Sequence, residues 1–119
     1  MKIAITTNGA GPNAPVDPRF GRAPRFVIVD TESGDMQEQD NAQNLNAPQG
    51  AGIQAAATVS RLGATVLITG HCGPKAFQAL TAAGIKIYTG ATGSVSDAVA
   101  QFKAGTLKAA DTADVEGHW

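Results

Sequence analysis

Three amphipathic stretches in the second half of the chain each end at a glycine, and short apolar runs lie between them. Their spacing predicts helices over residues 51–62, 74–83 and 94–104, each followed by the left-handed glycine that commonly ends a helix. The apolar runs predict strands over residues 65–69 and 85–88, the first of them buried on both faces. The motif Ser94-x-x-Asp97 is a capping box at the start of the last helix. Because a helix that joins two neighbouring strands makes them parallel, this half of the chain predicts a parallel sheet flanked by helices.

The first half of the chain adds strands but no helix. Residues 2–6, 25–31 and 36–40 have the pattern of strands, and a tight turn joins the last two. Of the five strands, only the second then runs antiparallel to the first, and the predicted order across the sheet is 3-2-1-4-5. The expected fold class is α/β, a three-layer fold with a five-stranded mixed sheet and three helices. We expect one domain over residues 1–105 and a loosely ordered C-terminal tail over 106–119.

The composition is that of an ordinary globular domain. The 119 residues include 16% charged residues and carry a net charge of −1, so no basic excess indicates a nucleic-acid surface. No segment has the length and apolarity of a signal peptide or a membrane span. A single cysteine excludes an internal disulfide and a thiolate-rich zinc site. We therefore expect a soluble cytoplasmic protein that binds neither nucleic acid nor membrane, as a monomer or weak homodimer.

Ligands of open α/β sheets bind outside the carboxyl ends of the strands, and four glycine-rich segments are predicted to meet there. These segments are residues 8–24, 44–52, 70–74 and 90–94. Three of them lead into helix N-termini, whose free N–H groups favour an anion. The basic side chains of these segments are Arg19, Arg22, His71 and Lys75, with Arg25 close to the first. An anion site is the favoured interpretation, and the alternative is that the arginines are solvated or paired with Asp17 and the hairpin acids.

Other site chemistries are less well supported. The central strands end in Thr6, Thr7, Thr69 and Gly70 rather than in the carboxylates that a two-metal nuclease needs. Neither a G-x-G-x-x-G nor a Walker sequence occurs. Cys72 follows His71 at a strand-to-helix junction, where it could be a small residue in a tight turn, a soft-metal or sulfide contact, or a nucleophile.

Several motifs in order resemble the dinitrogenase iron–molybdenum cofactor biosynthesis family, which includes NifX and NafY type proteins and the C-terminal domain of NifB. They are "VDPRFGRAPRFVIVDTESG", "NLNAPQGAGIQAA", "TVLITGHCGPKAFQALTAAGIKIY" and "GSVSDAVAQFKAGTL". The resemblance as a whole extends over roughly residues 1–108. The resemblance implies a ribonuclease-H-like fold and a role in carrying or assembling metal–sulfur clusters. The small stand-alone members of the family include one that holds a molybdenum–copper sulfide cluster, and this chain resembles such a stand-alone member.

The resemblance and the loop chemistry point to the same edge. The expected cluster-binding residues are Arg19, Phe20, Gly21, Arg22, Gly50, Gly52, Gly70, His71, Cys72, Gly73, Pro74 and Lys75, with Cys72 and His71 as candidate metal contacts. Many relatives have histidine where Arg19 stands, so electrostatic holding is favoured over direct ligation from the first loop.

The expected function is that of a non-enzymatic carrier or assembly protein. Its cargo would be an anionic metal–sulfide cluster, molybdenum–copper or alternatively of iron–sulfur or iron–molybdenum type, exchanged with cluster donor or acceptor proteins. The alternatives are a thiol-dependent enzyme that uses Cys72 and a small-anion or nucleotide-binding module.

Overall fold

The computed structural model describes residues 1–9, 11–40 and 51–110. Its strands are β1 (Lys2–Thr7), β2 (Arg25–Asp30), β3 (Met36–Asp40), β4 (Val66–Ile68), β5 (Lys86–Thr89) and β6 (Lys108–Ala109). Its helices are α1 (Ala51–Arg61), α2 (Pro74–Ala82) and α3 (Val95–Ala104). All elements except β6 lie where the sequence pattern predicts them, with ends that differ by at most one residue.

The strands form one sheet in the order β3-β2-β1-β4-β5-β6. Strands β1, β4 and β5 are parallel, and β2 is antiparallel to β1 and to β3. The predicted order 3-2-1-4-5 and the antiparallel second strand are therefore confirmed. This topology places the carboxyl ends of β1, β4 and β5 along one edge of the sheet. The sequence predicts the ligand site at this edge.

Helices cover both faces of the sheet and give the three predicted layers. Side chains alternate along β1, so Ile3 and Ile5 belong to one apolar cluster and Ala4 to the other. The cluster around Ala4 lies against α1 and α2, and that around Ile3 and Ile5 lies against α3. In β4, Leu67 is fully buried on the α1 and α2 side, where a side chain of its size stabilises the fold by roughly 1.5–3 kcal/mol. The two apolar clusters therefore cover the two faces of the sheet.

The start of α3 carries the capping box that its sequence predicts. The hydroxyl of Ser94 accepts a hydrogen bond from the N–H of Asp97, and the Asp97 carboxylate accepts one from the N–H of Ser94. The helix ends at Gly105, whose φ of 76° is the left-handed conformation expected of a C-terminal glycine. Local sequence therefore determines both ends of this helix.

A sixth strand lies where the sequence analysis expected the tail to begin. Lys108 and Ala109 pair antiparallel with Thr89 and Tyr88, and the N–H of Ala110 donates to the carbonyl of Ile87. The prediction of five strands was therefore one strand short, and β2 is not the sheet's only antiparallel strand. Two residues are too few to give a period-2 pattern, so only the tertiary pairing reveals this strand. Residues 111–119 of the predicted tail lie outside the described residues.

In the described part of the chain, no helix combines the length and the apolarity needed to cross a membrane.

Candidate anion-binding site

The loop over residues 8–24, here called the first loop, crosses the carboxyl edge of the sheet. Three isolated bridges hold it: Thr7 with Val16, Pro15 with Ser94, and Arg19 with His71. The first loop is thus attached to the end of β1, to the start of α3 and to the turn between β4 and α2. A loop fixed at three points presents its side chains in a defined arrangement, unlike a freely moving lid.

Buried threonines hold the middle of the first loop. The hydroxyl of Thr6 donates to the carbonyl of Asp17 at 2.7 Å and lies 2.9 Å from the hydroxyl of Thr69. The N–H of Asp17 donates back to the carbonyl of Thr6 at 2.9 Å. All three residues are buried. The threonines at the ends of β1 and β4 therefore anchor the first loop. From the sequence, these residues served only as an argument against a nuclease site.

Two of the three arginines in this region have acidic partners. The Nε of Arg19 lies 3.3 Å from the buried carboxylate of Asp17, and Arg25 lies 3.8 Å from both Glu38 and Asp40 of the hairpin. For Arg19 and Arg25, the alternative that pairs them with Asp17 and the hairpin acids is therefore confirmed. Within residues 1–9, 11–40 and 51–110, neither Arg22 nor Lys75 forms a salt bridge. These two side chains supply positive charge that the described acids do not neutralise.

The start of α3 is closed to a ligand, contrary to its place among the predicted anion-binding helix starts. The N–H groups of Val95 and Ser96 donate to the carbonyls of Ala14 and Pro12 in the first loop, both at 2.9 Å. The capping box satisfies the N–H of Asp97 and adds a carboxylate. The donors of this helix start are therefore used to hold the first loop.

The start of α2 is different. Gly73 is its N-cap and provides no side-chain hydrogen bond, and the first turn contains no acidic residue. Pro74 occupies the first turn, where its missing N–H removes no helix hydrogen bond. The first intrahelical donor is Phe77, whose N–H bonds the carbonyl of Gly73 at 2.9 Å. The N–H groups of Lys75 and Ala76 precede that donor, and first-turn N–H groups of this kind have no partner within the helix.

Two of the predicted site glycines have a packing role. A Cβ on Gly70 would lie 2.6 Å from the Cα of Pro18 and 2.8 Å from its carbonyl oxygen. A Cβ on Gly52 would lie 2.8 Å from the Cβ of Ala76. Gly70 thus allows the first loop to touch the turn after β4, and Gly52 allows α1 to approach α2. Both glycines shape the edge through protein contacts.

Phe20 and Cys72 lie below the surface of the site. Each is 1% exposed and belongs to the apolar cluster under α1 and α2, where the ring of Phe20 packs 5.8 Å from that of Phe26. The thiol of Cys72 lies 3.8 Å from the carbonyl oxygen of Gly73. This placement agrees with the interpretation of Cys72 as a small residue in a tight junction. Contact with a metal or sulfide stays a prediction that would require the thiol to leave this cluster.

The remaining predicted residues fall into three groups. Gly21 and Gly73 are buried backbone positions, and His71 is half-buried beside Arg19. Pro74 and Lys75 are exposed at the start of α2. Gly50 lies outside the described residues. Among the residues that the structure describes, no three His, Cys, Asp or Glu side chains are grouped closely enough to hold a metal ion.

Comparison with known proteins relates this arrangement to one family. A family model described as dinitrogenase iron–molybdenum cofactor matches residues 1–105. The solved apo form of the orange protein from Desulfovibrio gigas is 43% identical, covers 96% of each chain and superimposes with a TM-score of 0.94. A Thermotoga structure named as a candidate NifB protein is 34% identical over 98% of each chain, with a TM-score of 0.85. An uncharacterized protein of Methanocaldococcus jannaschii is 30% identical over 110 residues, which are 91% of this chain and 90% of that protein.

Proposed function

This chain belongs to the dinitrogenase iron–molybdenum cofactor family, and from that premise we propose that it binds and carries an anionic metal–sulfide cluster as a non-enzymatic carrier or assembly protein. The observation that carries the proposal is the start of α2, where the N-cap Gly73 provides no side-chain hydrogen bond and which lies next to the cationic first loop. The cluster would be cargo, received from one protein and passed to another.

The chemistry of this edge suits a sulfide-covered polyanion. The N–H groups of Lys75 and Ala76 and the positive end of the α2 dipole favour negative charge. Arg22 and Lys75 add cationic side chains without a described acidic partner. Arg19 is shared with Asp17, so its contribution to the net charge is smaller. The helix donors, together with two cations that form no salt bridge with the described acids, provide electrostatic holding.

The side chains also favour an assembled cluster over bare metal ions. A mononuclear soft-metal site needs three or four thiolate or imidazole ligands, and no such group occurs in the described ranges. A preformed anion carries its own sulfide ligands and needs only charge, hydrogen bonds and shape from the protein. We therefore propose that the cluster arrives complete and is held as an anion.

Molybdenum and copper are the metals we propose for this cluster. The solved orange protein matches this chain along nearly the full length of both, so the two chains have similar size as well as 43% identity. The small stand-alone members of the family include one that holds a molybdenum–copper sulfide cluster, and we extend that property to this chain. Iron–sulfur or iron–molybdenum cargo is the alternative within the same proposal.

A thiol-dependent enzyme receives less support. A nucleophilic cysteine must reach its substrate and be activated by a base. Cys72 is 1% exposed within an apolar cluster, which keeps substrates from its sulfur in the described conformation.

We propose that the protein works in the cytoplasm, a compartment that keeps thiols reduced.

Anaerobic reconstitution with tetrathiomolybdate and copper(I) tests the proposal. The wild type is expected to retain molybdenum and copper through gel filtration, and the Arg22→Glu/Lys75→Glu variant is expected to lose most of both. Lys86→Glu/Lys103→Glu is the matched control, because it reverses two exposed cations at the opposite edge, one at the start of β5 and one in the last turn of α3.

Three results would count against the proposal. The wild type could retain neither metal, or the Arg22→Glu/Lys75→Glu variant could retain as much as the wild type. Displacement of the cluster by inorganic phosphate or a nucleotide at equal concentration would instead support a general anion-binding module.

A further inference from the structure

The pair formed by Asp17 and Arg19 joins the buried threonine network to the proposed cargo surface. Asp17 is 1% exposed, whereas the side chain of Arg19 is 46% exposed. The Nε of Arg19 donates to Oδ1 of Asp17 at 3.3 Å, and Nη2 donates to Oδ2 at 3.4 Å. One edge of the guanidinium therefore faces the buried carboxylate while the rest of the group reaches solvent.

Asp17 cannot easily move to meet another partner. Its backbone N–H and carbonyl are both bonded to Thr6, and its Oδ1 also accepts the N–H of Arg19 at 2.8 Å. The hydroxyl of Thr6 in turn contacts that of Thr69, the residue that follows the neighbouring strand β4. The carboxylate thus has a fixed position relative to the ends of β1 and β4.

The guanidinium retains donors for a second partner. Of its five N–H groups, two are directed at Asp17, which leaves the Nη1 pair and one N–H of Nη2. The two side-chain contacts, at 3.3 and 3.4 Å, are longer than usual for charge-assisted hydrogen bonds. The backbone bridge between Arg19 and His71 places this residue beside the turn that leads into α2.

We propose that Asp17 is a positioning residue for cargo binding: its carboxylate holds Arg19 so that the outer N–H groups of the guanidinium meet the anionic cluster. This role rests on the proposed function. The outer N–H groups form a flat edge that matches two neighbouring acceptor atoms on one face of a cluster. A point charge such as lysine cannot provide this match.

The sign of one substitution separates this role from simple electrostatics. Asp17→Asn keeps the size of the side chain and an oxygen that accepts the N–H of Arg19, but removes a negative charge from the site. If only net charge mattered, Asp17→Asn would bind a polyanion more tightly. If alignment of Arg19 matters, it binds more weakly, by about tenfold for a charge-assisted contact that loses its orientation.

The experiment titrates each protein anaerobically with tetrathiomolybdate and copper(I), and compares wild type with D17N, R19Q and the D17N/R19Q double variant. We expect D17N and R19Q each to weaken binding about tenfold, and the double variant to bind no more weakly than R19Q. A further loss in the double variant equal to that of D17N alone would mean that Asp17 acts on the fold and not through Arg19. Glu38→Gln is the matched control, since it makes the same charge change beside Arg25 and should leave binding unchanged.

Two further measurements keep the test decisive. Arg19→Lys leaves Asp17 in place, so it should bind about as weakly as R19Q, and wild-type affinity in R19K would overturn the proposal even if D17N fails to fold. The Nε–H resonance of Arg19 should exchange slowly with solvent in the wild type and quickly in D17N. Failure of the wild type to bind the probe would overturn the proposed function, whereas wild-type binding that D17N preserves or strengthens would overturn only the role of Asp17.

Discussion

Substituting alanine for Gly70 should separate the first loop from the sheet edge. The added Cβ would lie 2.6 Å from the Cα of Pro18 and 2.8 Å from its carbonyl oxygen, whereas nonbonded carbon atoms prefer about 3.5–4.0 Å. Both obstructing atoms belong to the backbone, so no side-chain rotation relieves the contact. The same carbonyl accepts the N–H of His71 at 2.7 Å, and moving it would lengthen that bond.

The size of the effect follows from three contributions. Overpacking in a close contact costs about 1–3 kcal/mol, and loss of one hydrogen bond adds about 1 kcal/mol. Alanine restricts the unfolded chain more than glycine does, which offsets this by about 0.5–1 kcal/mol. The free energy of unfolding should therefore fall by about 1–3.5 kcal/mol, which lowers Tm by roughly 10 °C near the middle of this range in a domain of this size.

Thermal and urea unfolding monitored by circular dichroism measure this loss, and the titration with tetrathiomolybdate and copper(I) should show weaker binding because the loop carries Arg19 and Arg22. Pro18→Ala in the Gly70→Ala background should restore neither property, since the obstructing Cα and oxygen remain. A Tm for Gly70→Ala within about 2 °C of the wild type, far less than the expected shift, would refute the close approach of the loop to the turn.

Three other substitutions test separate parts of the structure. Gly52→Ala should lower the free energy of unfolding by about 1–3 kcal/mol, because the added Cβ would meet the Cβ of Ala76. Adding Ala76→Gly removes that obstacle and should recover part of the loss in urea unfolding. Strictly additive effects of the two substitutions would contradict the contact. Cys72→Ala should lower stability by about 1 kcal/mol and leave cluster uptake intact, and loss of uptake by a folded variant would make the thiol a cargo contact. The hydrogen bond from the N–H of Glu32 holds the pKa of Asp30 below its usual value. The Asp30 carboxylate therefore stabilises the fold at pH values above its unfolded pKa of about 4, and this contribution is lost as the pH falls through the lower folded pKa. Asp30→Asn should therefore flatten the acid side of a plot of urea midpoint against pH, and an unchanged slope would contradict this assignment.

Local sequence signals were sufficient for most of the fold. The motif Ser94-x-x-Asp97 predicts the start of α3, and the structure shows both of its hydrogen bonds. The apolar run that contains Leu67 predicts a strand buried on both faces, as observed for β4. These features depend on neighbours in the sequence, so the sequence alone reveals them.

Features that depend on distant residues were not predictable in the same way. The strand β6 exists because Ala109 meets Tyr88, not because of any pattern in its own two residues. The start of α3 has the appearance of an anion site until the carbonyls of Pro12 and Ala14 are seen to occupy its donors.

The same distinction between local sequence signals and contacts with distant residues applies to the candidate site. The sequence indicates which loops reach the carboxyl edge, because topology alone determines this. It does not show that Asp17 takes part of the charge of Arg19, or that Cys72 faces the apolar cluster. Counting charges and thiols in the loops therefore overestimates what is available to a ligand.

The metal content of the protein isolated without oxygen tests the proposed carrier function most directly. We predict a coloured protein with visible absorption and with molybdenum, copper and acid-labile sulfide in stoichiometric amounts, or the same product after anaerobic addition of tetrathiomolybdate and copper(I). A colourless, metal-free protein that stays so after reconstitution, with iron–sulfur as well as molybdenum–copper reagents, would contradict the assignment of this edge as a cluster-binding site.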